Sequence, residues 1–201
     1  MQELTIALIV ILILSSIYLL ISYPIHNIVY RKTFRYRDYK KLMKYVEKKD
    51  YRLINNFCFN IDENTTGHFD HIVFGSKYIY LVTDKYWRMG VYGKPKDQSW
   101  IFFKDEKKRM YIDNPLEKNE LRKEKLSLVT GIDKSLFVVI VVVNNDCVVD
   151  EDVLLNEQNI ITREKNLIKR IESFENQNIA SINDDQLQNV VYMFDKKSKQ
   201  I

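Results

Sequence analysis

The chain is poor in the residues that mark several protein classes. It has 2 cysteines among 201 residues, Cys58 and Cys147, far too few for a disulfide scaffold. Its 3 prolines and 5 glycines exclude collagen-like and linker-rich architectures. There is no phosphate-binding glycine loop, no nucleophile elbow and no Cys/His nucleophile pair. His68 and His71 lack the further Cys/His set that zinc requires. No charge sign dominates: 31 Lys+Arg against 27 Asp+Glu give a net charge of +4, which argues against strong non-specific nucleic-acid binding. Tyr, Phe, Val and Ile are plentiful, so disorder is excluded as the dominant state. The length suits one ordinary domain with attachments.

One of those attachments is apolar. An uncharged run opens at Leu4 and continues to Ile25. About 20 helical residues cross a hydrocarbon core ~30 Å thick, so the run is long enough to span. Ser15, Ser16 and Ser22 are tolerable there because a hydroxyl can bond back to a helix carbonyl, and Tyr23 suits an interface belt. A cleaved signal peptide fits less well: the start, Met1-Gln2-Glu3, is not basic, and no Ala-x-Ala follows. Beyond the run come Arg31, Lys32, Arg35, Arg37, Lys40 and Lys41, against Glu3 alone on the other side. The positive-inside bias then puts the amino terminus outside and the main domain in the cytoplasm, where unpaired cysteines stay reduced. The expected organisation is a short outer end at 1–3, a transmembrane helix at 4–25, and a basic juxtamembrane segment at 26–36 able to touch anionic head groups. A main domain at 37–145 and an extension at 146–201 follow.

Periodicity outlines the main domain. Tyr36 to Lys49 reads as a helix with Leu42, Met43, Tyr45 and Val46 on one side. Tyr51–Phe59, Phe69–Phe74 and Tyr78–Thr83 read as strands, the last two joined as a hairpin by Gly75-Ser76-Lys77, with a polar loop at 62–67. Gly90 and Gly93 bracket Val91-Tyr92, and Ser99–Phe103 is a short strand. Asn114-Pro115 starts a helix with Asn as cap, and Gly131 stops it. Leu136–Val143 is apolar without alternation, as a strand buried on both faces would be. Asn159–Thr162, Arg163–Phe174 and Asp184–Phe194, the last capped by Asn183, suggest a strand and two helices. The order implies a mixed α/β domain with helices against a central sheet.

Several of these pieces carry a resemblance. Gly67-His68-Phe69-Asp70-His71-Ile72-Val73-Phe74, then Ile79–Trp87, then Gly90-Val91-Tyr92-Gly93, Trp100 and Asn114-Pro115-Leu116, in that order, resemble the nuclease-related domain family over about Arg37 to Val143. The resemblance implies a restriction-endonuclease-like fold, a mixed central sheet flanked by helices behind the transmembrane helix, and a PD-(D/E)xK site. Such a site uses Mg²⁺ or Mn²⁺ to polarise a scissile phosphate and activate water, held by an Asp on one strand and a Glu-x-Lys on the next.

Mapped onto this chain, Asp70 takes the Asp position and Lys85 the Lys position. The Glu position holds Thr83, which brings a neutral oxygen in place of a charge. Alternation along the strand points Asp84 to the opposite face, so it would complete the site only through a bulge or register slip. Asp38-Tyr39 and Lys118 align with the family's Gly-Glu in the first helix and its Gln after Asn-Pro. Two functions stay open. One is a binding or assembly module with impaired or lost cleavage, recruiting nucleic acid or another membrane or cytoplasmic protein. The other is an active metal-dependent nuclease using Asp70, Lys85 and either Asp84 or Thr83, with Asp70 and Asp84 as the metal ligands. Trp87, Trp100 and Tyr92 are expected to pack beside the hairpin more than to stack on bases. Lys118, Arg122, Lys123 and Lys125 alternate with Glu117, Glu120 and Glu124 as a solvated helix face does.

Overall fold

The computed structural model describes residues 2–61, 65–105, 107–149 and 159–198. Part of the polar loop expected at 62–67, the side chains of Ser22 and Tyr23, and much of the segment between Cys147 and Asn159 lie outside the described residues. The chain divides into two compact units, Met1–Arg35 and Tyr36–Ile201.

The first unit lies within helix α1, which runs from Gln2 to Lys49. The apolar side chains from Ile6 to Leu19 are exposed, Leu12 at 64%, whereas Phe34 is buried. The Ser15 and Ser16 hydroxyls both donate to the Leu12 carbonyl, at 2.9 and 2.8 Å, the back-bonding that lets a helix carry serine among apolar neighbours. Among the described residues no helix is long and apolar enough to cross a membrane.

The second unit is built on two sheets rather than the single central sheet expected. Strands β1 (Arg52–Asn60), β2 (Thr66–Phe74) and β3 (Ile79–Lys85) form an antiparallel meander. Helix α2 (Pro115–Thr130) leads to β7 (Phe137–Val143), which lies parallel to β3, and β9 (Asn159–Arg163) lies parallel to β7. The five-stranded order is β1-β2-β3-β7-β9. All seven residues of β7 are buried, as its lack of alternation requires. The second sheet, in the order β6-β5-β4-β8, joins β4 (Gly90–Tyr92), β5 (Ser99–Phe103), β6 (Arg109–Asp113) and β8 (Val148–Val149). Both β8 and β9 come from the segment expected as a C-terminal extension, so each sheet is completed by residues beyond 145.

Three layers of packing hold the unit. One face of the large sheet meets α2 and α4 (Asp184–Ser198) through Phe57, Phe74, Leu81, Leu126 and Phe194. The opposite face meets α1, where Tyr39 stacks on His71 at 6.3 Å between ring centroids, and α3 (Leu167–Glu175), where Phe174 meets Tyr80 edge-on. The small sheet packs through Val91, Trp100 and Val149 against Val141, Val143 and Ile161 of the large one. Helix α2 starts and stops where its residues dictate. The Asn114 side chain accepts from the Leu116 amide at 2.9 Å, and Gly131 adopts φ +69° to donate to the Ser127 carbonyl at 2.8 Å.

Candidate functional site

The pairing of β2 with β3 runs from Phe74↔Ile79 to His71↔Val82. Just beyond that register, Asp70 Oδ2 accepts the Asp84 amide at 2.7 Å. The carboxylate thus continues the bonding where the two backbones leave off, and Asp70 is only 2% exposed. Its other oxygen lies 3.9 Å from His68 Nδ1.

Thr83 and Asp84 diverge as strand alternation demands. Thr83 turns toward α2, where its Oγ1 accepts from Asn119 Nδ2 at 3.2 Å. Asn119 Oδ1 in turn accepts from Arg122 Nη1 at 3.1 Å. Burial pulls the Arg122 pKa down, and the charge of Asp70 pushes it back up, so this α2 guanidinium lies within electrostatic reach of Asp70. Asp84 turns to the other face, where its Oδ2 lies 2.9 Å from His71 Nε2. Lys85, at the end of β3, is half-buried and shares the Thr83 parity opposite Val143.

The face with Asp84 holds a polar cluster of its own. Asp38 of α1 is fully buried, and neither of its oxygens has a hydrogen-bond partner among the described residues. Burial, then the like charges of Asp84 and Glu164, push its pKa up to about 8, against the pull of Lys41 and Arg37. Glu164 is held by Arg37 Nη2 at 2.5 Å and Lys41 Nζ at 2.6 Å.

The nuclease-related domain family model matches residues 34–144, more than half of the chain. The chain belongs to this family. The nuclease-related domain is of the PD-(D/E)xK kind. No curated protein and no solved structure matches the chain.

A nuclease-related domain implies a divalent metal, and the donors here do not fit one. Mg²⁺ takes oxygen ligands in near-octahedral array, usually one or two carboxylates completed by waters and phosphate oxygens. Asp70 supplies one carboxylate with an oxygen given to an amide, Thr83 supplies a neutral hydroxyl already accepting a bond, and Asn119 and Arg122 bring donors where ligands belong. Among the described residues no group of three or more His, Cys, Asp or Glu is placed to hold a metal. Asp70 and Asp84, expected as co-ligands, are joined by a carboxylate-to-amide bond, and the Asp84 carboxylate engages His71.

Other expectations resolve residue by residue. Trp87 and Trp100 are buried as expected, but Tyr92 is 54% exposed. The residue of α2 that reaches Thr83 is Asn119, whereas Lys118 points out to Asp113 at 3.0 Å. Lys123 is not on a solvated face; it is buried and bonded to Glu120 at 2.6 Å. The inward facing of Asn119, though not its partner, was legible in principle, because Leu116, Asn119, Lys123 and Leu126 recur at helical spacing and all are buried. Asp38 sits with Leu42, Tyr45 and Val46 on the same stripe of α1.

Proposed function

We propose that the chain is a membrane-anchored nuclease-related domain that binds nucleic acid at the cytoplasmic surface without cleaving it. The observation that carries this reading is the Asn119-to-Thr83 bond: a neutral hydroxyl, held by Asn119, stands where the acidic ligand would be. Without that charge the metal that polarises phosphate and activates water has too few ligands. The anchor is supported by the uncharged run from Leu4 to Ile25 and by the outward-facing apolar side chains of α1. The cations that follow, from Arg31 onward, favour a cytoplasmic domain.

The rival reading, a working nuclease with Asp84 as the second acid, needs that carboxylate beside Asp70 and Lys85. It is engaged with His71 instead. Purified full-length chain in detergent, incubated with DNA or RNA and Mg²⁺ or Mn²⁺, should leave both intact, and Thr83→Glu is the variant in which cleavage should first appear. Cleavage by the wild type that disappears in both Asp70→Ala and Lys85→Ala would overturn the proposal. Intact substrates with no nucleic-acid binding, together with capture of a protein through the domain, would make it a protein-assembly module.

A further inference from the structure

The small sheet has an inner and an outer face. Val91, Trp100 and Phe102 face the core. By alternation the residues between them face out. The register aligns Tyr92, Ile101 and Tyr111 across three strands, and Gly90, Phe103 and Arg109 in the next row, with Val148 beside Gly90. Tyr111 is 73% exposed and Val148 70%. Large apolar groups on a soluble face call for a partner.

The face is concave as well as apolar. A cavity of about 340 Å³ is lined by Met89, Tyr92, Phe103 and Val148, and part of its wall is Gly90, which carries no side chain. A Cβ at Gly90 would come within 2.7 Å of the Val148 carbonyl oxygen, so the close pairing of β4 with β8 requires glycine there. Met89 and Asp105 also line a second cavity of about 330 Å³ with Arg88 and Lys107. Asp105 Oδ1 already accepts from the Lys107 and Lys108 amides, at 3.0 and 2.8 Å. Those bonds hold the Asp105 carboxyl below its ordinary range, so it stays charged, and Arg88, Lys107 and Arg109 outnumber it around an aromatic floor.

We propose that this face binds single-stranded nucleic acid, with bases stacked on Tyr92, Phe103 and Tyr111 and phosphates met by Arg88, Lys107 and Arg109. The inference rests on the nucleic-acid reading above and gives it a place on the molecule. It is a different surface from that of Asp70 and Thr83. Flat rings beside cations match an unpaired base joined to a phosphate, and every base presents a π-face, so the binding should tolerate sequence. A duplex hides those faces and should bind weakly.

The test uses full-length chain in detergent micelles with a labelled mixed-sequence oligonucleotide, single-stranded or annealed. The wild type should bind the single strand in preference to the duplex. Tyr92→Ala with Tyr111→Ala should weaken single-strand binding about tenfold or more, while Tyr92→Phe with Tyr111→Phe should retain it. Arg88→Glu with Lys107→Glu should lower affinity and flatten its salt dependence. If the wild type binds nucleic acid and the alanine pair binds equally well, this site is wrong and the wider reading stands. If the wild type binds none, both fall. Loss of self-association in the alanine pair, with nucleic-acid binding unchanged, would make the face an interface between copies and overturn the proposal.

Discussion

Asp38 lies beneath α1 with its carboxyl sealed from water, and its pKa is raised from 3.8 to about 8. Below about pH 4 folded and unfolded chains both hold the proton. Between about 4 and 8 the unfolded chain releases it and the folded chain keeps it. Stability therefore falls as pH rises through that window and levels off above about 8. Asp38→Asn keeps the shape without the titration. Thermal unfolding of the two proteins should converge near pH 4 and separate by pH 8, with the variant the more stable by a few kcal/mol. A parallel pH dependence would refute the buried-carboxyl account. The opposite facing of Thr83 and Asp84 was legible from strand alternation alone. Their partners were not, because Asn119 and His71 reach them only through tertiary packing, 36 and 13 residues away.

Helix α2 positions Asn119, and Asn114 positions α2. Besides capping the helix, the Asn114 amide donates to the Pro95 and Asp97 carbonyls at 2.9 and 2.6 Å, tying the 95–97 turn to the helix start. Asn114→Ala removes a cap and the two bonds that tie the 95–97 turn to the helix, a loss of about 1–2 kcal/mol in denaturant unfolding. Asn114→Asp keeps the acceptor, loses the donors, and should fall between. An alanine variant as stable as the wild type would mean that the cap contributes nothing. This element was readable because its signals are local: Asn-Pro at one end and glycine at the other. The meander and β7 were readable for the same reason. Strand β6, Arg-Met-Tyr-Ile-Asp, was not, since it is largely exposed and defined by its pairing with β5. Strand β8 has only 2 residues and exists through its parallel partner β4, so no local pattern announces it. The second sheet is thus a product of long-range pairing.

At the scale of the whole molecule, an apolar amino-terminal helix precedes a compact α/β unit whose two sheets share one buried seam. If the proposed anchor spans the bilayer, the full-length chain should stay in membranes washed with alkaline carbonate, which strips peripheral proteins; its release would refute spanning. The near-balanced charge leaves binding to local patches rather than to a field covering the whole surface. The proposed function requires that the family fold binds no catalytic metal. Mn²⁺ titration of purified full-length chain, followed by electron paramagnetic resonance, tests this directly. It should show no saturable site and superimposable curves for wild type and Asp70→Ala. Saturable binding that Asp70→Ala abolishes would contradict it.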